Sequence, residues 1–491
     1  MNGSTRPDTH NPHHARRWLI LAVLGVAQLM VVLDATIVNI ALPSAQKALG
    51  FSDDSRQWII TAYALAFGGL LPLGGRLSDL FGQKRMFLIG ASGFAIASAV
   101  GGGAQDFTML VASRAIQGVF AAMLAPASLS LVSGLFTDAR ERGRAFGIYG
   151  AIAGGGGAVG LLLGGILTEY TSWRWCLYVN LGFAIPATLA ALALLHHLPR
   201  ATRPRLDIRG VVTASMGLFS LVYGFSNAET ASWDDPITVG CLFAGILILT
   251  VFVLIEHHVS NPLLPLRIVL DRTRAGAYLA VLLTGAGVFG AFLFLTYYMQ
   301  QTLGYSPVMT GVAFLPMTGA LMIAAGISSN RILPRVGPKP VVAVGATLSA
   351  AGMLVLTGLG VTANYASDVL PGLLLVGLGM GCTMAAAMST AAVGVREEDA
   401  GVASSLINTG QQIGGSLGTA LLSTFATSAA TNYLHGRPHT ATVAAHAAVH
   451  GYTTAFWISA GMYAAAALVA GLLIRRGVPK VAPGVQPAFA H

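Results

Sequence analysis

The chain has 491 residues, 54% of them hydrophobic and only 10% charged, with a formal net charge of +9 and a mean hydropathy of +0.69. That composition excludes an ordinary soluble domain. The basic residues lie scattered between apolar segments instead of gathered on one soluble face, which argues against a nucleic-acid partner. The three cysteines, Cys176, Cys241 and Cys382, all fall inside apolar segments, with neither a disulfide framework nor a metal-ligand spacing.

A membrane core about 30 Å thick needs roughly 20 apolar residues per crossing helix. By that ruler the sequence reads as fourteen spans, at 18–42, 57–75, 86–104, 108–134, 145–167, 174–195, 208–226, 237–256, 275–298, 307–328, 340–361, 368–392, 401–425 and 452–474. The first has basic flanks like a signal peptide, but its apolar stretch is too long and lacks a small-residue cleavage site, so it reads as a retained span.

All but five of the 28 Lys and Arg residues fall in the two tails and the even-numbered loops. Lys47, Arg56, Arg174 and Arg437 lie on the opposite side, and Arg114 lies inside span 4. Positive charge collects on the cytoplasmic side, so both termini are expected there.

Span 1 holds the acid Asp34 and span 4 the base Arg114, both expensive to place in lipid. Each stands about eight residues from the outer end of its span, roughly 12 Å deep at 1.5 Å per residue, so the two can pair. Burial favours a neutral carboxyl and a guanidinium favours a carboxylate. A rearrangement that alters their separation or hydration would make Asp34 take up or release a proton. Gln117, one turn beyond Arg114 on the same face, can hold Arg114 or hydrogen-bond a substrate. A fixed structural ion pair is the plainer alternative.

The loop "GRLSDLFGQK" at 75–84 aligns without gaps on "NRILPRVGPK" at 330–339, matching Arg76 with Arg331, Gly82 with Gly337 and Lys84 with Lys339. Such an offset fits duplication: two six-helix bundles with two extra spans inserted between them. The expected organisation is a tail at 1–17, a first bundle at 18–195, the inserted pair at 208–256, a second bundle at 275–474 and a tail at 475–491. The fold class is an all-α polytopic membrane protein with fourteen transmembrane helices.

In a chain of this kind a substrate site is expected near the midplane between the bundles. Candidates are Asn39, Tyr63 and Gln117 on the first half, and Phe292, Tyr297, Tyr298 and Met317 on the second. Span 13 adds the polar trio Asn408, Gln411 and Gln412. Span 12 carries Met380, Met384 and Met388 at four-residue spacing, which suits packing more than a pocket. Apart from Asp368 at the very start of span 12, no acid appears in spans 9 to 14, which favours a lipophilic substrate over a dication. The histidines His435, His439, His446 and His450 read as a solvated outer loop and not a metal site.

Several of these stretches resemble the major facilitator superfamily, in particular its fourteen-span drug:proton antiporter branch. They are "LDATIVNIALP" in span 1, "GGRLSDLFGQKRM" after span 2, "LVASRAIQGVFAA" in span 4 and "YSPVMTGVAFLP" in span 10. The resemblance covers nearly the whole chain. It implies proton coupling through Asp34 and Arg114, and a conformational latch made by Asp79 with Arg76 and Arg85. Span 5 is similar to the antiporter motif, with Gly147, Gly156, Gly160, Gly164 and Gly165 at its spacing and Leu161 where a proline normally stands. Close glycines there allow tight packing and bending of the helix.

The expectation is therefore proton-coupled efflux of lipophilic small molecules such as drugs or antibiotics across the plasma membrane, by alternating access. The alternative is a facilitator, importer or exporter of the same fold serving one dedicated metabolite, with or without proton coupling. The partners are the substrate, protons and the lipid bilayer, with no nucleic acid and no obligate protein partner. No cofactor and no metal are called for, and with no nucleophile, base or metal cluster the chain does not read as an enzyme.

Overall fold

A computed structural model describes residues 16–52, 55–136, 139–195, 207–259, 262, 264, 266–392, 400–438 and 440–477. Among the described residues there are helices and no strands. Fourteen helices are long: α1 Arg17–Leu49, α2 Gln57–Phe81, α3 Gln83–Gly102, α4 Phe107–Leu135, α5 Ala139–Tyr170, α6 Trp175–Leu194, α7 Ile208–Thr230, α8 Pro236–His258, α9 Arg272–Tyr297, α10 Pro307–Ile327, α11 Pro338–Leu356, α12 Leu370–Ala392, α13 Ala400–Leu434 and α14 Ala441–Leu473. A wider π turn, Tyr298–Thr302, continues α9, and another, Ser328–Ile332, continues α10.

Polar residues set the helix starts. The side chains of Asp106, Asp235, Asp271, Ser306 and Thr440 each accept from a backbone N–H in the first turn of the helix that follows. Proline stands at the first position of α8 and α10, where its missing N–H costs nothing. Several helices outrun the apolar segments read from the sequence. α1 continues to Leu49 before Gly50 ends it at φ 67°, and α14 begins at Ala441, so His446 and His450 are helical and not in a loop. The hydropathy ruler finds the lipid-crossing part of a helix, whereas caps decide where the helix stops.

Eleven helices are long and apolar enough over their described residues to cross a membrane. The other three long helices are α2, α5 and α13. These are helices that pack between the two halves of the molecule: α2 lies on α13, and α5 lies on α10. By contrast α8 is strongly apolar yet little buried, with Phe243, Ile246, Leu247 and Leu254 exposed. That is the pattern of a helix facing lipid.

The first six and last six long helices repeat one packing scheme. In the first six, α1 packs on α5 and α6, α4 on α2 and α3, and α3 on α6. In the last six, α9 packs on α13 and α14, α12 on α10 and α11, and α11 on α14. The aligned loops also share a conformation. Gly82, between α2 and α3, has φ 93°, and its counterpart Gly337, before α11, has φ 76°. Both lie in the left-handed region that favours glycine. Between the halves α7 and α8 pack on each other, and α7 also rests against α2 and α13.

Candidate functional site

Asp34 of α1 is fully buried, and Arg114 of α4 is 2% exposed. The Arg114 Nη1 donates to Asp34 Oδ2 at 2.5 Å and to Gln117 Oε1 at 2.9 Å. Gln117 Nε2 in turn donates to Asp34 Oδ1 at 3.1 Å and to Ser98 Oγ at 2.6 Å. Asn180 Nδ2 of α6 donates to the same Asp34 oxygen at 2.7 Å. Arg114 Nε also reaches the Ile59 carbonyl at 3.3 Å, and the guanidinium lies over the Tyr63 ring, 4.4 Å from its centroid. Side chains of α4 and α6 thus converge on one carboxylate of α1, and Ser98 of α3 accepts from the two carboxamides that hold it.

A buried ion pair is tolerable only when its remaining hydrogen-bonding capacity is met. Here Gln117 and Asn180 supply neutral donors to the carboxylate, so Asp34 keeps partners if Arg114 withdraws. Toward the C-terminal end of α1 the pair is covered by Val38, Leu42, Ile59, Leu110 and Leu177, all apolar.

The glycines of α5 bring that helix against the same stretch of α1. A Cβ at Gly160 would stand 2.0 Å from Thr36 Oγ1 and 3.0 Å from the Leu33 carbonyl oxygen, and one at Gly164 would stand 3.0 Å from the Ile37 oxygen. Gly156 meets Leu29 and Val32. Gly165 faces the other half of the molecule, where its Cβ would fall 2.7 Å from the Pro307 oxygen. The Leu161 carbonyl likewise comes within 2.5 Å of the place a Cβ at Gly311 would take. α5 is therefore a small-residue strip with α1 on one side and α10 on the other. Gly147 lies on the same helix, and its packing is outside the described set.

Further contacts pin the halves together at the end that carries the C-terminus of α1. Tyr297 Oη donates to Gln46 Oε1 at 2.5 Å, Gln300 Nε2 to the Ile40 carbonyl at 3.1 Å, and the Val308 N–H to Glu169 Oε2 at 3.0 Å. Arg56, 5% exposed, lies over the rings of Phe294 and Tyr297.

The other residues singled out in the sequence are spread along the molecule. Tyr297 and Tyr298 are fully buried, and Tyr298 Oη donates to the Gly360 carbonyl at 2.7 Å. Phe292 stacks on Phe314 with centroids 4.8 Å apart, and Met317 is buried. Asn39 Nδ2 donates to the Ala35 carbonyl of its own helix at 3.0 Å. On α13, Asn408 is exposed, while Gln411 and Gln412 are half-buried, with Gln412 beside Gly68 of α2. Arg76 Nη2 donates to the Pro262 carbonyl at 3.0 Å, and Arg85 is exposed. The Asp79 side chain lies outside the described set, so its pairing with Arg76 and Arg85 is not among the contacts.

Sequence reasoning missed Ser98 and Asn180. Asn180 carried a signal as the lone carboxamide in span 6. It also missed Glu256, which stands at the last residue of span 8 and is only 3% exposed.

A family model described as Major Facilitator Superfamily matches residues 24–419. A puromycin resistance protein, pur8, of Streptomyces alboniger is 51% identical over 468 residues, 94% of this chain and 92% of its own length. A cephamycin export protein, CmcT, of Amycolatopsis lactamdurans is 37% identical over 412 residues, 82% of this chain and 84% of its own. Among solved structures, the POT family transporter PepTSo superposes with a TM-score of 0.67 at 14% identity, over 93% of this chain and 97% of that one.

Proposed function

The chain belongs to the major facilitator superfamily, and from that premise we propose that it exports lipophilic small molecules, antibiotics among them, in exchange for protons. All fourteen long helices cross the plasma membrane in this reading, as two six-helix bundles, α1–α6 and α9–α14, with α7 and α8 between them. Both termini are cytoplasmic, as the distribution of Lys and Arg supports. Relatives named for puromycin resistance and for cephamycin export support an antibiotic substrate.

The observation that carries the coupling is the Asp34–Arg114 pair, a carboxylate and a guanidinium fully buried in a membrane helix bundle and bridged by Gln117. An ion pair in that setting is by default a functional one. In this reading the pinned end, with Tyr297, Gln46 and Arg56, is the closed outer gate, and substrate enters from the cytoplasm. Protonation of Asp34 removes the charge that holds Arg114. The pair then separates, and α1 shifts along its glycine contacts with α5. Because α5 also touches α10, that shift reaches the other bundle and opens the outer gate. Asp79 with Arg76 and Arg85 latches the cytoplasmic side in the alternate state, an anionic group placed to meet the positive end of a neighbouring helix. Exposed Asn408, with Gln411 and Gln412, offers hydrogen bonds to substrate on the cytoplasmic approach.

The test uses the purified protein in liposomes that enclose a pH-sensitive dye, with puromycin as the probe. Substrate-driven proton movement in the wild type, absent in Asp34→Asn, is the expected result. Equal proton movement in both proteins overturns the assignment of Asp34. Transport of puromycin by the wild type without any proton movement overturns antiport and favours a facilitator.

A further inference from the structure

A buried pair of acids stands far from Asp34 in sequence. Asp207 caps α7, its Oδ1 accepting from the Gly210 N–H at 2.9 Å. Glu256 ends α8, its Oε2 accepting from the Leu264 N–H at 2.8 Å. Asp207 is 9% exposed and Glu256 3%. The other oxygen of each, Asp207 Oδ2 and Glu256 Oε1, is buried with no donor among the described residues.

Those two oxygens point at one spot. A Cβ at Gly210 would lie 2.4 Å from Asp207 Oδ2 and 2.5 Å from Glu256 Oε1, so the oxygens are within about 5 Å of each other. The two side chains meet over the backbone of Gly210. Val211, Phe252 and Leu264 wall the place off, with Leu73 of α2 against them. Among the described residues the Arg76 guanidinium of α2 also bears on Glu256, and it is engaged with the Pro262 carbonyl. Arg209 on α7 and His257 and His258 on α8 are exposed.

Two ionised carboxylates facing each other in an apolar pocket are both acceptors and both negative. The arrangement is stable when a single proton lies between them, turning a repulsion into an O–H···O bond. We infer that Asp207 and Glu256 form a second proton-holding site, a carboxyl–carboxylate clasp that ties the start of α7 to the end of α8. Through Leu264 and Pro262 it also ties the segment after α8 to Arg76 of α2. Loss of the shared proton sets two charges against each other and loosens the inserted pair from α2.

Linkage gives the sign. A clasp that holds a proton in the folded chain and not in the unfolded one makes stability fall as pH rises. The experiment follows thermal unfolding of the full chain in lipid nanodiscs across pH, for the wild type, Glu256→Gln and Asp207→Asn. Either amide supplies a permanent donor to the remaining carboxylate, and Asn still caps α7. Both variants should lose the alkaline fall, so that each outlasts the wild type at high pH by several degrees.

A second readout needs no folding comparison: the infrared carbonyl stretch of a protonated carboxyl. It should be present at neutral pH in Asp34→Asn, and absent when Glu256→Gln is added. Parallel melting profiles in wild type and variants overturn the clasp. So does an Asp34→Asn protein with no protonated carboxyl band. Neither measurement depends on transport, so failure of the export reading and failure of the clasp are separable.

Discussion

The first and last six helices share a packing scheme but fill its centre differently. In the first, Gly160 of α5 lies against Leu33 of α1, and Asp34 follows at once; α6 contributes Asn180 to that carboxylate. In the last, Gly418 of α13 lies against Ala286 of α9, and Gly287 follows; α14 contributes Tyr463, whose ring comes within 2.9 Å of where a Cβ at Gly287 would be. Tyr463 is fully buried with no partner for its hydroxyl among the described residues. One scaffold thus holds an ion pair hydrogen-bonded by Gln117, Asn180 and the Ile59 carbonyl on one side and a tyrosine packed on a glycine on the other. The difference teaches that the fold itself does not require charge at this position. Asp34 and Arg114 are an addition to it, which is why a functional role is the better account of them.

Substitutions can break or sharpen that contrast. Arg114→Leu leaves Asp34 buried without its counter-charge and should cost about 3–5 kcal/mol, read as loss of thermal stability in detergent. Adding Asp34→Asn should return a large part of it, because the stranded charge is gone. Next in size is Gly160→Ala, which sets a methyl 2.0 Å from Thr36 Oγ1 and presses α5 off α1. It should cost up to about 3 kcal/mol and slow transport. Asn180→Leu removes one charge-assisted donor but leaves Gln117 on the same oxygen, so about 1.5 kcal/mol is expected, with a shifted pH dependence of exchange. The smallest effect belongs to Tyr463→Phe. It deletes a hydroxyl that has no partner among the described residues and should change stability by less than about 0.5 kcal/mol, with transport intact. A Tyr463→Phe protein that loses proton exchange would erase the contrast.

Much of this was legible in the sequence, for physical reasons. Charges inside apolar segments are rare because they are costly, so Asp34 and Arg114 stood out, and counting residues to the helix ends placed them at one depth. The repeat of the 75–84 loop at 330–339 was legible because a left-handed turn selects glycine, at Gly82 and again at Gly337. Ser98 and Asn180 were less visible, since a small polar side chain in a span satisfies itself on its own helix as readily as it joins a network. Glu256 looked like an ordinary charge at a helix end, and only the fold brings it to Asp207, almost fifty residues earlier. Tyr297 and Tyr298 read as substrate candidates, yet their hydroxyls reach Gln46 and the Gly360 carbonyl. Which tyrosines line a path and which close it depends on how two bundles lean together, and no local pattern encodes that.

The most direct measurement is proton release or uptake on binding puromycin in weakly buffered detergent solution, comparing the wild type with Asp34→Asn and with Tyr463→Phe. The expected result is a proton exchanged by the wild type and by Tyr463→Phe, and none by Asp34→Asn while puromycin still binds. An Asp34→Asn protein that binds puromycin and exchanges the same number of protons as the wild type would contradict the assignment of the coupling proton to the first bundle's carboxylate.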